Sequence, residues 1–174
     1  VILFLRDPVS RFISGFYSRQ RKGQPRYYSE WSPKEKEIFE HFAIPNEIAV
    51  SLANKQAEDH ALAIMALKSV QHFKPYSKWY VDIDYFKSRF EDILFIGFQE
   101  SLDADFIKLK SILEIPQNIT LPTDGIVAHK NPKDLNKSID ESGIKALREW
   151  YSEDFYFISL CEEIMSNKAN AQAQ

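Results

Sequence analysis

VILFLRDPVSRFISGFY, residues 1–17, decides how this chain is read. Val1 to Leu5 form an uninterrupted apolar, β-prone run, which predicts a buried parallel strand rather than a half-exposed alternating one. That strand delivers Arg6 to its C-terminal end. Asp7 and Pro8 supply helix-start chemistry, a carboxylate suited to capping and a proline suited to the first helical position. Val9, Phe12, Ile13, Phe16 and Tyr17 follow at helical spacing, so one face of the helix belongs to a core. At about 100° per residue, Ser10, Ser14 and Ser18 stack beside that stripe, and Arg21 extends the polar column. A strand end, an arginine fork, a helix N-terminus and a hydroxyl thus converge where open α/β sheets bind anionic ligands. Taken alone, Arg-Asp-Pro between a strand and a helix also has an ordinary structural reading as helix-start chemistry.

Working outward, Ser32-Pro33-Lys34-Glu35 is a capping box that opens a short helix towards Phe42, and Pro45 starts another. Residues 58–68 are apolar around the whole circumference, which predicts a helix crossing the interior. Ile93 to Phe98 reads as a second core strand. Ser101 is placed to cap a following helix whose Leu102, Phe106, Leu109 and Leu113 share a face, with Pro116 marking its end. Residues 116–136, with three prolines and Gly125, form a long loop. Such loops in compact domains are commonly functional or disordered, and Lys130, Lys133 and Lys137 at its end favour the functional reading. The polar tail 167–174 is expected to fray.

RDPVSRFISGFY, residues 6–17, resembles the 3′-phosphate-binding segment of the sulfotransferases that use 3′-phosphoadenosine-5′-phosphosulfate (PAPS). Later segments extend the likeness to the carbohydrate-type members. FIGFQESLDADFIKLKSILEI, 95–115, resembles their strand-helix unit. SVQHFKPYSKW, 69–79, resembles their His-aromatic-x-Pro-Gln stretch, with Tyr76 where many members carry glutamine. HKNPKDLNKSI, 129–139, and the helices ending EWYSEDFYFISLCEEI resemble the basic loop and terminal helices that close the donor site.

The resemblance implies an α/β, P-loop-NTPase-like sulfotransferase fold, a parallel sheet flanked by many helices. It implies PAPS as sulfuryl donor, no metal, and a hydroxyl-bearing acceptor such as a carbohydrate. Arg6 and Ser14 would hold the donor's 3′-phosphate. Arg11 matches the pattern as a further donor contact, although its place off the core stripe suits a structural or surface role equally. Lys130 and Lys133 would belong to the closing loop. In this family the 5′-phosphosulfate loop and the usual catalytic acid or histidine precede the Arg-Asp-Pro strand, so they are expected upstream of Val1, with any membrane anchor. Within the chain His72, ahead of an extended Lys-Pro, is the candidate base. A bacterial member would be cytoplasmic, and a eukaryotic one a Golgi membrane protein facing the lumen.

Composition narrows the alternatives. At 174 residues and 44% hydrophobic content the chain suits one globular domain. A net charge of −3 argues against nucleic acid as a partner, while Arg19, Arg21, Lys22 and Arg26 leave local anion binding open. Cys161 lies in an apolar helical stripe and reads as a buried small hydrophobe. His41, His60, His72 and His129 lack metal-ligand spacing, so no metal is expected. Five glycines form no phosphate-cradling GxxxxGK loop. Two other readings stay open, a non-catalytic helical binding module on the same fold and a P-loop kinase relative.

Overall fold

In chain order the computed structural model, which describes residues 1–172, forms β1 (Ile2–Leu5), α1 (Pro8–Gln20), α2 (Pro33–His41), α3 (Pro45–Ala53), α4 (His60–Ser69), α5 (Ser77–Tyr80) and α6 (Ile83–Ser88). There follow β2 (Phe95–Phe98), α7 (Leu102–Ile112), α8 (Glu141–Trp150) and α9 (Ser152–Gln172). These elements fall into two compact units. One contains Val1–Asp7, Pro75–Leu121 and the chain from Ser152 onward, and the other contains Pro8–Lys74 and Pro122–Tyr151.

The first unit holds the sheet. β1 and β2 pair in parallel, with Phe4 opposite Gly97 and Leu5 opposite Phe98. A Cβ on Gly97 would lie 2.5 Å from the Phe4 ring, so this position accepts no side chain without displacing that ring. Leu5 of β1, Ile96 of β2, Tyr80, Phe86, and Phe157, Cys161 and Ile164 of α9 form a shared core. Burying such side chains contributes about 1.5–3 kcal/mol each, which is what holds α9 to the strands. The expectation that β1 is buried throughout needs correcting: Ile2 and Phe4 are 41% and 43% exposed, whereas Leu5 is buried. The described residues cover one face of this strand, so its apolar run behaves as an alternating one.

At the C-terminal end of β2, Asp105 of α7 accepts hydrogen bonds from the Phe98 amide (2.9 Å), the Ser101 hydroxyl (2.6 Å) and Lys108 (2.9 Å). Ser101 does occupy the N-cap position, yet its side chain makes no cap hydrogen bond; its hydroxyl donates instead to the buried carboxylate of Asp105. Burial alone would raise that carboxyl, and these donors together hold it below its ordinary value.

The second unit is helical. Phe12, Phe16 and Tyr17 of α1 are buried, with Phe12 against Phe73 at 4.9 Å and Phe16 edge-on to Phe39 of α2 at 5.4 Å between centroids. The Ser32–Glu35 capping box forms as read, and α3 starts at Pro45. α4 does not cross an interior: Ala63, Ala66 and Leu67 are buried while Ala61 is exposed. Leu62, Ile64 and Met65 are only half-buried and Lys68 is exposed, so one side of the helix meets solvent despite its all-round hydrophobicity. The two terminal helices are present. The tail expected to fray is helical as far as Gln172, and residues 173 and 174 lie outside the described residues.

Candidate functional site

β1 ends at Leu5 and α1 begins at Pro8, so Arg6 and Asp7 make the turn. One phenol grips Arg6 from both sides. The Arg6 amide donates to Tyr76 Oη (2.9 Å), and Tyr76 Oη donates to the Arg6 carbonyl (3.0 Å). Tyr76 is itself fixed, its amide donating to Oδ1 of the fully buried Asp154 (2.8 Å). The Asp7 amide donates to Glu100 (3.1 Å). The side chain of Arg6 is treated differently from its backbone: its Nε is buried and has no hydrogen-bond partner among the described residues. A buried donor left unmade costs about 1–3 kcal/mol, and more on a charged group, so an incoming anionic acceptor removes a penalty already present.

In the second unit Ser14 is half-buried on α1, and its carbonyl accepts from Asn131 Nδ2 (3.2 Å). Asn131 Oδ1 accepts from Arg21 (2.9 Å), Ser18 Oγ pairs with His129 Nε2 (3.0 Å), and the Tyr17 hydroxyl donates to the Asn136 carbonyl. Tyr27 stacks on His129 at 5.3 Å. The polar column read from the sequence is therefore the seat of the basic loop, which is tied to α1 through side chains rather than lying free. Lys130 and Lys133 remain exposed on it. Arg11 places its guanidinium over the Tyr151 ring at 5.5 Å, and Tyr151 donates to the Phe73 carbonyl (2.6 Å).

Arg19 answers the question left by the basic cluster. It is 5% exposed and reaches Glu35 through two nitrogens (2.8 and 3.0 Å), with the Ser29 and Glu30 carbonyls filling further donors (3.2 and 3.3 Å). It is a structural ion pair. Lys22 pairs with Glu30 at 2.5 Å. Burial works to raise the Glu35 carboxyl, but the Arg19 guanidinium and the Ser32 amide outweigh it and hold it below the ordinary carboxylate value.

His72 sits on a 3₁₀ turn, Gln71–Phe73, beside Gly15. A Cβ on Gly15 would lie 2.7 Å from His72 Cβ, so the glycine permits the turn's close approach to α1. The imidazole lines a cavity of about 470 Å³ with Arg19, Tyr27, Trp31 and Glu35. His72 is itself exposed, yet the protein atoms packed around its ring, then the positive charge of Arg19, lower its pKa, against an opposing pull from Glu35. The neutral form, able to accept a proton, therefore predominates at neutral pH.

The remaining histidines have structural partners: His41 meets Asp59 at 2.9 Å and His60 Nδ1 meets the Ser51 carbonyl at 2.9 Å. Burial pushes the Cys161 thiol up to about 12, which suits a core residue rather than a nucleophile. Among the described residues no helix is long and apolar enough to cross a membrane. Two residues that shape these sites, Asn131 and Asp154, lie inside the basic-loop and terminal-helix segments without being singled out by them.

No curated protein and no solved structure matches the chain. A family model described as the sulfotransferase family matches residues 1–157, a span that takes in the Arg6 turn, the strand-helix unit at 95–115 and the basic loop. With most of its length inside that match, the chain belongs to the sulfotransferase family.

Proposed function

We propose that this chain forms the 3′-phosphate-binding part of a sulfotransferase that moves a sulfuryl group from PAPS to a hydroxyl of a carbohydrate or similar acceptor, on a P-loop-like fold, and that alone it does not carry out the transfer. The observation that carries this reading is the buried, unpartnered Nε of Arg6 at the C-terminal end of a parallel strand. Such a group fits a phosphate, whose oxygens accept from the two edges of a guanidinium at once. PAPS, when bound, supplies the activated sulfuryl group. The chain's own residues bind and orient: Arg6 and Ser14 contact the 3′-phosphate, and Lys130 and Lys133 add positive charge near the donor. Because the 3′-phosphate is remote from the reacting sulfur, these contacts anchor the donor and distinguish it from ordinary adenine nucleotides. His72, kept neutral, is the chain's own candidate to accept the acceptor hydroxyl's proton on a ring nitrogen. Holding donor and acceptor in line and neutralising oxygen charge provide most of the rate in group transfers of this kind.

The test is transfer of radiolabelled sulfate from PAPS to a panel of carbohydrate acceptors by the full-length protein, with chelator present. Labelled, acid-stable product is the expected result. Failure to bind 3′,5′-adenosine bisphosphate at all points to a non-catalytic module, and phosphorylation that needs Mg²⁺ and ATP points to a kinase; either overturns the reading.

A further inference from the structure

The double contact between Tyr76 and the Arg6 backbone has no counterpart in the motif reading, where this position departs from the common glutamine. We infer that Tyr76 is a positioning residue for the donor's 3′-phosphate, acting through Arg6. The inference rests on the proposal that Arg6 binds that phosphate.

The geometry carries it in three steps. First, Arg6 lies between elements, after β1 ends at Leu5 and before α1 begins at Pro8, so neither ladder nor helix fixes its peptide groups. The Tyr76 hydroxyl supplies both missing bonds, accepting from the Arg6 amide at 2.9 Å and donating to its carbonyl at 3.0 Å. A phenol uses its single proton and one lone pair here, so it fixes the orientation of both peptide groups flanking the Arg6 Cα.

Second, Tyr76 is itself immobilised. It is 9% exposed, its ring packs against Phe157 at 5.9 Å between centroids, and its amide is held by the buried carboxylate of Asp154 at 2.8 Å. A chain of contacts therefore runs from α9 through Tyr76 to Arg6, all inside one compact unit.

Third, the guanidinium that this backbone carries holds a buried Nε with no partner among the described residues. A long side chain recognises a phosphate with two bonds only if its root is held, because each freed rotor lowers the population of the binding geometry. Tyr76 supplies that restraint without touching the ligand. It thereby raises selectivity for nucleotides bearing a 3′-phosphate over those lacking it.

The experiment measures, in the full-length protein, the ratio of affinities for 3′,5′-adenosine bisphosphate and adenosine 5′-phosphate by calorimetry. Tyr76→Phe keeps the ring and removes both bonds; the ratio is expected to fall about tenfold, with the thermal transition still cooperative. Exchange of the Arg6 amide with deuterium should accelerate in the same variant. Tyr76→Gln, which restores a donor and an acceptor, is expected to recover most of the ratio, a rescue that loss of packing does not predict. Should Y76F fail to fold, Tyr76→Met is read in its place, since it fills the site and lacks both bonds. A wild-type ratio in folded Y76F or Y76M overturns the positioning role. A wild-type protein with no preference for the 3′-phosphate overturns the donor reading itself, so the two failures are told apart.

Discussion

Arg6, in the turn before α1, and Arg19, in the last turn of α1, have opposite surroundings. Arg19 has its guanidinium filled by a bidentate carboxylate and two carbonyls, and it is nearly inaccessible. Arg6 has a fixed backbone and a buried Nε with no acceptor among the described residues. Both occur in a motif-rich stretch, and residue type alone does not separate them. The inventory of acceptors does: one arginine is filled from within the fold, and the other keeps a buried donor unfilled among the described residues.

The largest effect that can break this contrast is on stability. Arg19→Ala leaves the Glu35 carboxylate and two carbonyls in a poorly hydrated corner and is expected to destabilise by about 3–5 kcal/mol, read from urea unfolding. A change below about 1 kcal/mol would show that Arg19 is as dispensable to the fold as an exposed arginine. Arg6→Ala should do the reverse. It is expected to weaken binding of 3′,5′-adenosine bisphosphate by about 2–4 kcal/mol and that of adenosine 5′-phosphate little, with unfolding hardly altered. Equal losses for both nucleotides in calorimetry would remove the 3′-phosphate from its role.

Acid sharpens the comparison further. The Glu35 carboxyl is depressed in the folded protein, so its contribution is fully present above the ordinary carboxylate pKa and is lost as pH falls through the lowered folded value. The stability gap between wild type and Glu35→Gln should therefore narrow in acid; a gap that does not change from neutral to acid pH contradicts the pairing. The smallest expected effect belongs to Ser14→Ala, which should cost about 1 kcal/mol of 3′,5′-adenosine bisphosphate binding, the scale of one hydroxyl contact. Unchanged affinity returns Ser14 to the helix surface.

Local signals carried far in this chain. The two strands, the capping box at Ser32 and the helix starts at Pro8, Pro33 and Pro45 follow from short-range chemistry, and all are present. Burial was harder to read, as β1 and α4 illustrate, because an apolar run states what can be buried and only tertiary neighbours decide which face is. The site divides in the same way. The Arg6 turn was legible from its residues, whereas the Tyr76–Asp154 support joins positions 78 residues apart. One sign of it was there: Asp154 lies three residues before Phe157 and seven before Cys161, an acid on the apolar stripe of α9. A carboxylate in that position calls for a buried partner. The Arg19–Glu35 pair was hidden for another reason, since Glu35 already had a sufficient role in the capping box.

Asn131 gives the basic loop a direction as well as an attachment. Its amide nitrogen faces the Ser14 carbonyl and its amide oxygen faces the Arg21 guanidinium, so the side chain works as a polarised plug that fits one way round. Turned about, it would set donor against donor and acceptor against acceptor. Aspartate there would satisfy Arg21 and repel the carbonyl, and leucine would satisfy neither. Beside the Ser18–His129 and Tyr17–Asn136 contacts, the loop that carries Lys130 and Lys133 is thus fastened to α1 by an amide whose fit is encoded in the difference between a nitrogen and an oxygen.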